Sequence, residues 1–109
     1  MPTIQFLIPL FLNSGTKIDN WIYTKLEMKL LSAFGGYTKL PGVHVGAWQS
    51  ETGQVYHDDT VAYCVVMENK AVIEKLHSIL TELNTWFQQE SFFIQYVGQS
   101  EIFSPKREG

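Results

Sequence analysis

The side chains best suited to chemistry lie in or near one predicted hairpin, residues 43–66. His57 and Asp59 are two positions apart, so a strand would point both to one side and let the carboxylate orient the imidazole. Aromatic rings from the same hairpin, and an amide from a later strand, would supply the walls and polar contacts of a ligand pocket. The predicted ligand-binding residues are Trp48, His57, Asp59, Tyr63 and Gln95.

These residues do not complete a catalytic or metal site in the sequence. His57 has no partner nucleophile, because Cys64 falls on the predicted core face, where a thiol is ordinary packing. His57 and Asp59 are only two ligands, too few to enclose a metal ion. A single cysteine also excludes an internal disulfide. We therefore predict no catalytic residue, no metal and no cofactor.

Composition limits the class of partner. The chain has 109 residues, of which 45% are hydrophobic and 14% aromatic, so it can bury the core of one domain. Its net charge of −3 argues against a nucleic-acid partner, since phosphate binding needs a basic surface. The apolar run 4–12 is too short to span a membrane and has no basic residue before it. A cytoplasmic protein without a membrane partner is expected.

Hydrophobic periodicity predicts strands and helices in alternation. Alternating apolar residues indicate strands at 3–12 and 91–97, on either side of the rest of the domain. Apolar stripes at helical spacing predict helices over 18–34 and 70–88. Gly35 is suited to end the first helix, and Asn69 to cap the start of the second.

This order predicts an α+β fold of the ferredoxin-like, split βαβ type (β-α-β-β-α-β). Right-handed crossovers would place the last strand beside the first in an antiparallel four-stranded sheet. Both helices would cover one face and leave the other open. Residues 1–103 are predicted to form this single domain, with 104–109 as a polar tail.

The hairpin register decides which residues reach the open face. A two-residue turn at Thr52-Gly53 would pair Trp48 with His57. One face of the hairpin would then join the core. Its predicted core residues are Val43, Val45, Ala47, Ala62, Cys64 and Val66. The predicted open face carries His44, Gly46, Trp48, Val55, His57, Asp59, Val61, Tyr63 and Val65, with Gln5, Leu7, Phe93, Gln95 and Val97 from other strands.

An open face this apolar predicts a partner. A symmetric homo-oligomer, a dimer or a trimer, is the expected arrangement. The predicted function is a non-enzymatic binding or regulatory protein that holds a small ligand or a protein partner at this face or at the subunit interface. Two alternatives remain. One is a small enzyme with His57 as general acid or base and Asp59 orienting it, and the other is a phage-type protein that blocks a partner.

Three short motifs occur in order: Phe34-Gly35-Gly36-Tyr37-Thr38, Gly46-Ala47-Trp48 and Phe87-Gln88-Gln89-Glu90-Ser91. In these motifs the chain resembles a group of small bacterial proteins that carry a domain of unknown function. The resemblance supports the fold and implies no particular activity. The positions of Trp48, Gly53, Val55 and Asp58 are also similar, more loosely, to those in divalent-ion-tolerance and PII-like trimers. The long nucleotide-binding loop of the PII proteins has no counterpart here.

Overall fold

The computed structural model describes residues 2–96 and 99–105. Within these residues the chain forms two helices and six strands. In chain order they are β1 (Thr3–Pro9), α1 (Asn20–Phe34), β2 (Thr38–Lys39), β3 (His44–Gln49), β4 (Val55–Val66), α2 (Ala71–Phe87), β5 (Phe92–Tyr96) and β6 (Gln99–Phe103).

The predicted fold class is confirmed, with more strands than expected. The strand order is β2-β4-β1-β5-β6. β3 pairs with residues 55–60 of β4, beyond the residues that pair with β2. β1 lies in the middle, antiparallel to β4 on one side and to β5 on the other. This is the arrangement predicted for a split βαβ fold. The additional strands β2 and β6 are short and lie at the two edges of the sheet, where β2 pairs with β4 and β6 pairs with β5.

The core lies between the two helices and one face of the sheet. β1 alternates, so that Ile4, Phe6 and Ile8 are fully buried while the residues between them are partly exposed. Full burial of side chains of this size contributes about 1.5–3 kcal/mol each to folding. The helices supply the opposing layer, whose fully buried residues are Leu26, Leu30, Leu76, Leu80, Leu83 and Phe87.

The helix ends follow the local sequence. Gly35 adopts a left-handed conformation (φ 78°), and its N–H donates to the Leu31 carbonyl, as predicted for the end of α1. Before α2, the side-chain oxygen of Asn69 accepts a hydrogen bond from the Ala71 N–H at 2.9 Å. This contact satisfies one of the amide groups that a helix start leaves without a partner.

The predicted register of the hairpin is wrong by one residue. Trp48 pairs with Tyr56, and His57 pairs with Ala47. The loop is longer than the predicted two-residue turn, because the Ser50 N–H already bonds to the Gln54 carbonyl and the Gly53 N–H bonds back to Ser50. Gly53 has a φ of 88°, a backbone conformation that would be strained in a residue with a side chain.

The shifted register inverts β4 while β1 and β3 keep their predicted faces. Val61, Tyr63 and Val65 are buried beneath the helices, so their predicted place on the open face is wrong. By the same alternation Val55, His57 and Asp59 also leave the open face. In their place Ala62, Cys64 and Val66, which were predicted to be on the core face, lie on the open-face side of β4, where Ala62 is nevertheless fully buried.

The outer half of the hairpin projects away from the helices. We call residues 43–58 the hairpin arm; apart from the partly buried Ser50, all of its residues are exposed. Val45 is 75% exposed, so its predicted place in the core is also wrong. Because residues on both faces of the arm are exposed, neither of the two described helices covers it. The Trp48 and Tyr56 rings stack on each other at 4.6 Å between centroids.

Two predictions fall partly beyond the described residues. The predicted last strand reached Val97, which lies outside them, as do residues 106–109 of the predicted tail. Ser104 and Pro105 have no regular secondary structure. Among the described residues, no helix combines the length and apolar character needed to cross a bilayer.

Candidate functional site

The most developed polar site lies where α1 meets the sheet, around the carboxylate of Glu27. The Tyr63 hydroxyl donates to Glu27 Oε2 at 2.7 Å, and the Tyr37 hydroxyl donates to Oε1 at 3.1 Å. Lys39 and Tyr23 complete the group. We call Tyr23, Glu27, Tyr37, Lys39 and Tyr63 the Glu27 cluster.

The fold brings these residues together from α1, β2 and β4, with Tyr37 in the connection between α1 and β2. Tyr23 and Glu27 are four residues apart on α1, so they lie on the same face of the helix. β2 returns beside β4 after α1 ends, and its Lys39 pairs directly with Tyr63. The inverted face of β4 therefore carries Tyr63 into the site.

Lys39 places its charge among the tyrosine rings. Its Nζ is 4.0 Å from Glu27 Oε2, 5.7 Å from the centroid of the Tyr63 ring and 5.8 Å from that of Tyr23. Ammonium groups within about 6 Å of a ring centroid are attracted by the negative face of the ring. The cluster thus already holds one cation in a setting of one carboxylate and two aromatic faces.

The tyrosines are hydrogen-bond donors that do not ionise near neutral pH. Burial raises the pKa of Tyr63 far above its usual value, and the hydrogen bond and charge of Glu27 raise it further. Burial alone raises the pKa of Tyr23 to about 12, and its hydroxyl donates to the Pro9 carbonyl at 2.7 Å. The pKa of Tyr37 is raised by the same causes as that of Tyr63.

The site is open to solvent on one side. Tyr63 is fully buried, but the Glu27 side chain is 26% exposed and that of Lys39 is 47% exposed. A ligand can therefore reach the Glu27 carboxylate from solvent, on the side where the Lys39 ammonium lies over the tyrosine rings. The chemistry that fits is binding of a cation, with the two phenols fixing the orientation of the carboxylate.

A second polar contact lies on the other side of the molecule, between α2 and β6. His77 Nε2 is 2.6 Å from Glu101 Oε1, and the imidazole stacks flat on the Phe103 ring at 4.0 Å between centroids. Ser78, Thr81 and Ser104 line a shallow, open groove beside it. The contact fastens the edge strand β6 to the helix.

The residues predicted to bind a ligand do not meet in one place. Trp48 projects from the hairpin arm toward the open face, whereas His57 and Asp59 point to its opposite side. Tyr63 is in the core, and Gln95 lies on β5, two strands away from β4. Tyr63 is the one predicted residue that belongs to the Glu27 cluster.

Four members of the Glu27 cluster were not predicted from the sequence: Tyr23, Glu27, Tyr37 and Lys39. Tyr37 and Lys39 lie in or beside the Phe34-Gly35-Gly36-Tyr37-Thr38 motif, and Glu27 is an acidic residue beside an apolar helix stripe. Their proximity to Tyr63 becomes apparent only when Tyr63 is assigned to the helix-covered face of β4. In the described part of the chain, no group of three or more His, Cys, Asp or Glu residues is placed to hold a metal.

Comparison with known proteins gives a fold relationship. No family model matches the chain, and no curated protein matches it. Among solved structures, the chain is similar to a phage SAM lyase in complex with S-methyl-5'-thioadenosine, with a TM-score of 0.70 and 12% identity over 94% of this chain and 88% of that one. It is also similar to a phage SAM lyase in the apo state, with a TM-score of 0.69 and 13% identity over 99% and 92% of the two chains.

These neighbours correct the predicted function. A non-enzymatic binding or regulatory protein was expected, and that prediction is wrong, because both solved structures described above are phage SAM lyases. Sequence identity of 12–13% establishes the fold and leaves the activity to be argued from the site. The resemblance to small bacterial proteins of unknown function stays a prediction.

Proposed function

We propose that this chain is a lyase that cleaves S-adenosylmethionine and releases S-methyl-5'-thioadenosine. The observation that supports this most is the likeness to phage SAM lyase, which extends over almost the whole length of both chains. The Glu27 cluster adds a site of suitable chemistry, because the substrate is a sulfonium cation. A carboxylate beside aromatic faces attracts such a cation without a metal.

The reaction breaks the bond between the sulfonium sulfur and the γ-carbon of the methionine part. The electron pair of that bond leaves with sulfur, which becomes the neutral thioether of S-methyl-5'-thioadenosine. The γ-carbon forms its replacement bond in one of two ways. Either an oxygen of the substrate's own carboxylate attacks it and closes a lactone, or a base removes a β-proton and an alkene forms between the β- and γ-carbons.

The Glu27 cluster favours lactone closure. Both oxygens of Glu27 already accept a phenol hydrogen bond, so this carboxylate is arranged as a fixed negative charge and not as a free proton acceptor. In lactone closure the enzyme has only to hold the sulfonium and bend the substrate into a ring-forming conformation. Glu27 would supply the charge, and the faces of Tyr23 and Tyr63 the walls.

The experiment is direct detection of the products. Purified protein is incubated with S-adenosylmethionine, and mass spectrometry follows S-methyl-5'-thioadenosine together with homoserine lactone or vinylglycine. Glu27→Gln keeps the shape of the side chain and removes its charge. We expect it to lower kcat/KM by about tenfold or more, equivalent to a loss of about 1.4 kcal/mol or more of transition-state binding.

Glu82→Gln is the matched control. Glu82 is an exposed carboxylate on α2 that pairs with Lys29 and does not belong to the Glu27 cluster. The Glu82→Gln variant should retain full turnover. Absence of thioether above the buffer blank would contradict the lyase function, and full turnover by the Glu27 variant would place the reaction elsewhere on the molecule.

A further inference from the structure

The ammonium of Lys39 lies where a bound cation would be expected in the Glu27 cluster. It faces two ring centroids at 5.7 and 5.8 Å and one carboxylate oxygen at 4.0 Å. The same three groups are those that would attract a sulfonium. A ligand cation and the Lys39 ammonium therefore compete for one place.

We propose that Lys39 is an internal occupant of an onium-binding site, which an incoming sulfonium must displace. Identification of that onium as the sulfonium of S-adenosylmethionine rests on the proposed function. The onium site itself rests only on the geometry of the Glu27 cluster. Lys39 thus sets the affinity for substrate by competition and is not a contact that holds it.

The position of Lys39 makes its displacement easy. Its side chain is 47% exposed, and its distance from Glu27 is that of a loose, water-screened pair, which contributes little. β2 is only two residues long and lies at an edge of the sheet, so the flexible lysine stem can turn outward into solvent.

Differences in hydration favour the exchange. An ammonium is a compact, strongly hydrated charge with three donors, and it regains water when it leaves the rings. A sulfonium or a quaternary ammonium has no N–H or O–H to donate, and aromatic faces are the usual protein site for such ions. The Glu27 cluster is therefore better matched to an onium ion than to its own lysine.

The test measures binding of a small onium ion that cannot react. Trimethylsulfonium chloride is titrated into the protein, and NMR shifts of the tyrosine rings give its Kd. Lys39→Met keeps the apolar stem and removes the charge. We expect it to lower the Kd by about two- to fivefold, the scale of one exposed cation–π contact. Lys39→Gln, which differs from Met in polarity, should shift the Kd in the same direction.

Lys25→Met is the matched control. Lys25 also places its ammonium over an aromatic ring, that of Trp86, at 4.7 Å, but it is outside the Glu27 cluster. Its removal should leave the Kd unchanged. A Kd that is unchanged or higher in both Lys39 variants would overturn the proposal, as would tyrosine shifts that do not saturate.

This binding test can fail independently of the lyase assay. Tighter onium binding by the Lys39 variants without any thioether product would leave the site standing and remove the reaction. Product formation with no effect of the Lys39 substitutions on trimethylsulfonium binding would support the reaction and contradict the proposed role of Lys39. In an active enzyme, we further expect Lys39→Met to lower KM for S-adenosylmethionine more than it changes kcat.

Discussion

Glu27 shows how a partly exposed carboxylate becomes a fixed group. It accepts from a fully buried phenol at 2.7 Å and from a partly buried one at 3.1 Å, so each of its oxygens is held by a different tyrosine. Hydrogen bonds to charged acceptors stabilise more than neutral ones. The two tyrosines should therefore contribute unequally to stability.

Tyr63→Phe is expected to lower the free energy of unfolding by about 1–2 kcal/mol, because it removes a short hydrogen bond to a carboxylate. The remaining ring keeps its stacked contact with Phe6. Tyr37→Phe, the matched change on the longer bond, should have a smaller effect. Urea unfolding of the two variants measures the difference, and equal losses would contradict the assigned roles.

Alkaline pH should destabilise the protein through the same tyrosines. Their pKa values are raised in the folded state, so an unfolded chain releases these protons near the ordinary value of 10.0 while the folded chain keeps them. The stabilisation is complete below about pH 10 and falls as the pH rises toward 12, where Tyr23 ionises. Tyr63→Phe should flatten the decline, which thermal unfolding at a series of pH values would measure.

The end of α2 carries local strain. Gln88 has a φ of 53°, the one positive φ at a non-glycine residue among the described positions. Left-handed backbone is unfavourable for residues with a side chain. Gln88→Gly should therefore raise the free energy of unfolding by about 0.5–1 kcal/mol.

Gln89→Gly is the contrasting change. The Gln89 amide donates to the Phe87 carbonyl, and its backbone N–H donates to the side chain of Asn84. Loss of the amide should destabilise the same helix end. Chemical denaturation of both variants would test the pair, and a destabilising Gln88→Gly would contradict the strain argument.

Helices and strands differ in how far this sequence predicts them. The apolar stripes give both helices to within about two residues, because 3.6-residue periodicity is local. The hairpin contains equally good alternation on both sides of β4, with Val61, Tyr63 and Val65 on one and Ala62, Cys64 and Val66 on the other. Only the loop length chooses between them, and Thr52-Gly53 does not reveal that length.

The candidate site depends on that choice. With β4 inverted, Tyr63 moves from a surface to the underside of α1 and meets Glu27. No local pattern joins residues 27 and 63, since their contact comes from tertiary packing. His57 and Asp59 show the converse. Their spacing suggested a site, yet His57 is exposed on the hairpin arm and Asp59 is partly buried just beyond it.

At the scale of the molecule, a homo-oligomer is still predicted, because one face of the sheet is not covered by helices. Phe93 and Ile102 are paired on this face and are 38% and 66% exposed. Apolar groups of this kind commonly mark an interface. Ile102→Asp and Phe93→Asp should lower the subunit count measured by native mass spectrometry.

Met28→Asp is the control for that measurement. Met28 is 67% exposed on α1, away from the open face, so the charge is equally tolerated but should leave the assembly unchanged. A wild-type protein that is monomeric at all concentrations would contradict the prediction. So would an unchanged subunit count in both open-face variants.

The hairpin arm has one more consequence, for experiments that map accessibility with proteases. The sequence contains no lysine or arginine between Lys39 and Lys70, so trypsin has no cleavage point anywhere in this projecting segment. Chymotrypsin, by contrast, finds Trp48 and Tyr56 there, both well exposed. A tryptic digest alone would therefore report this exposed segment as resistant.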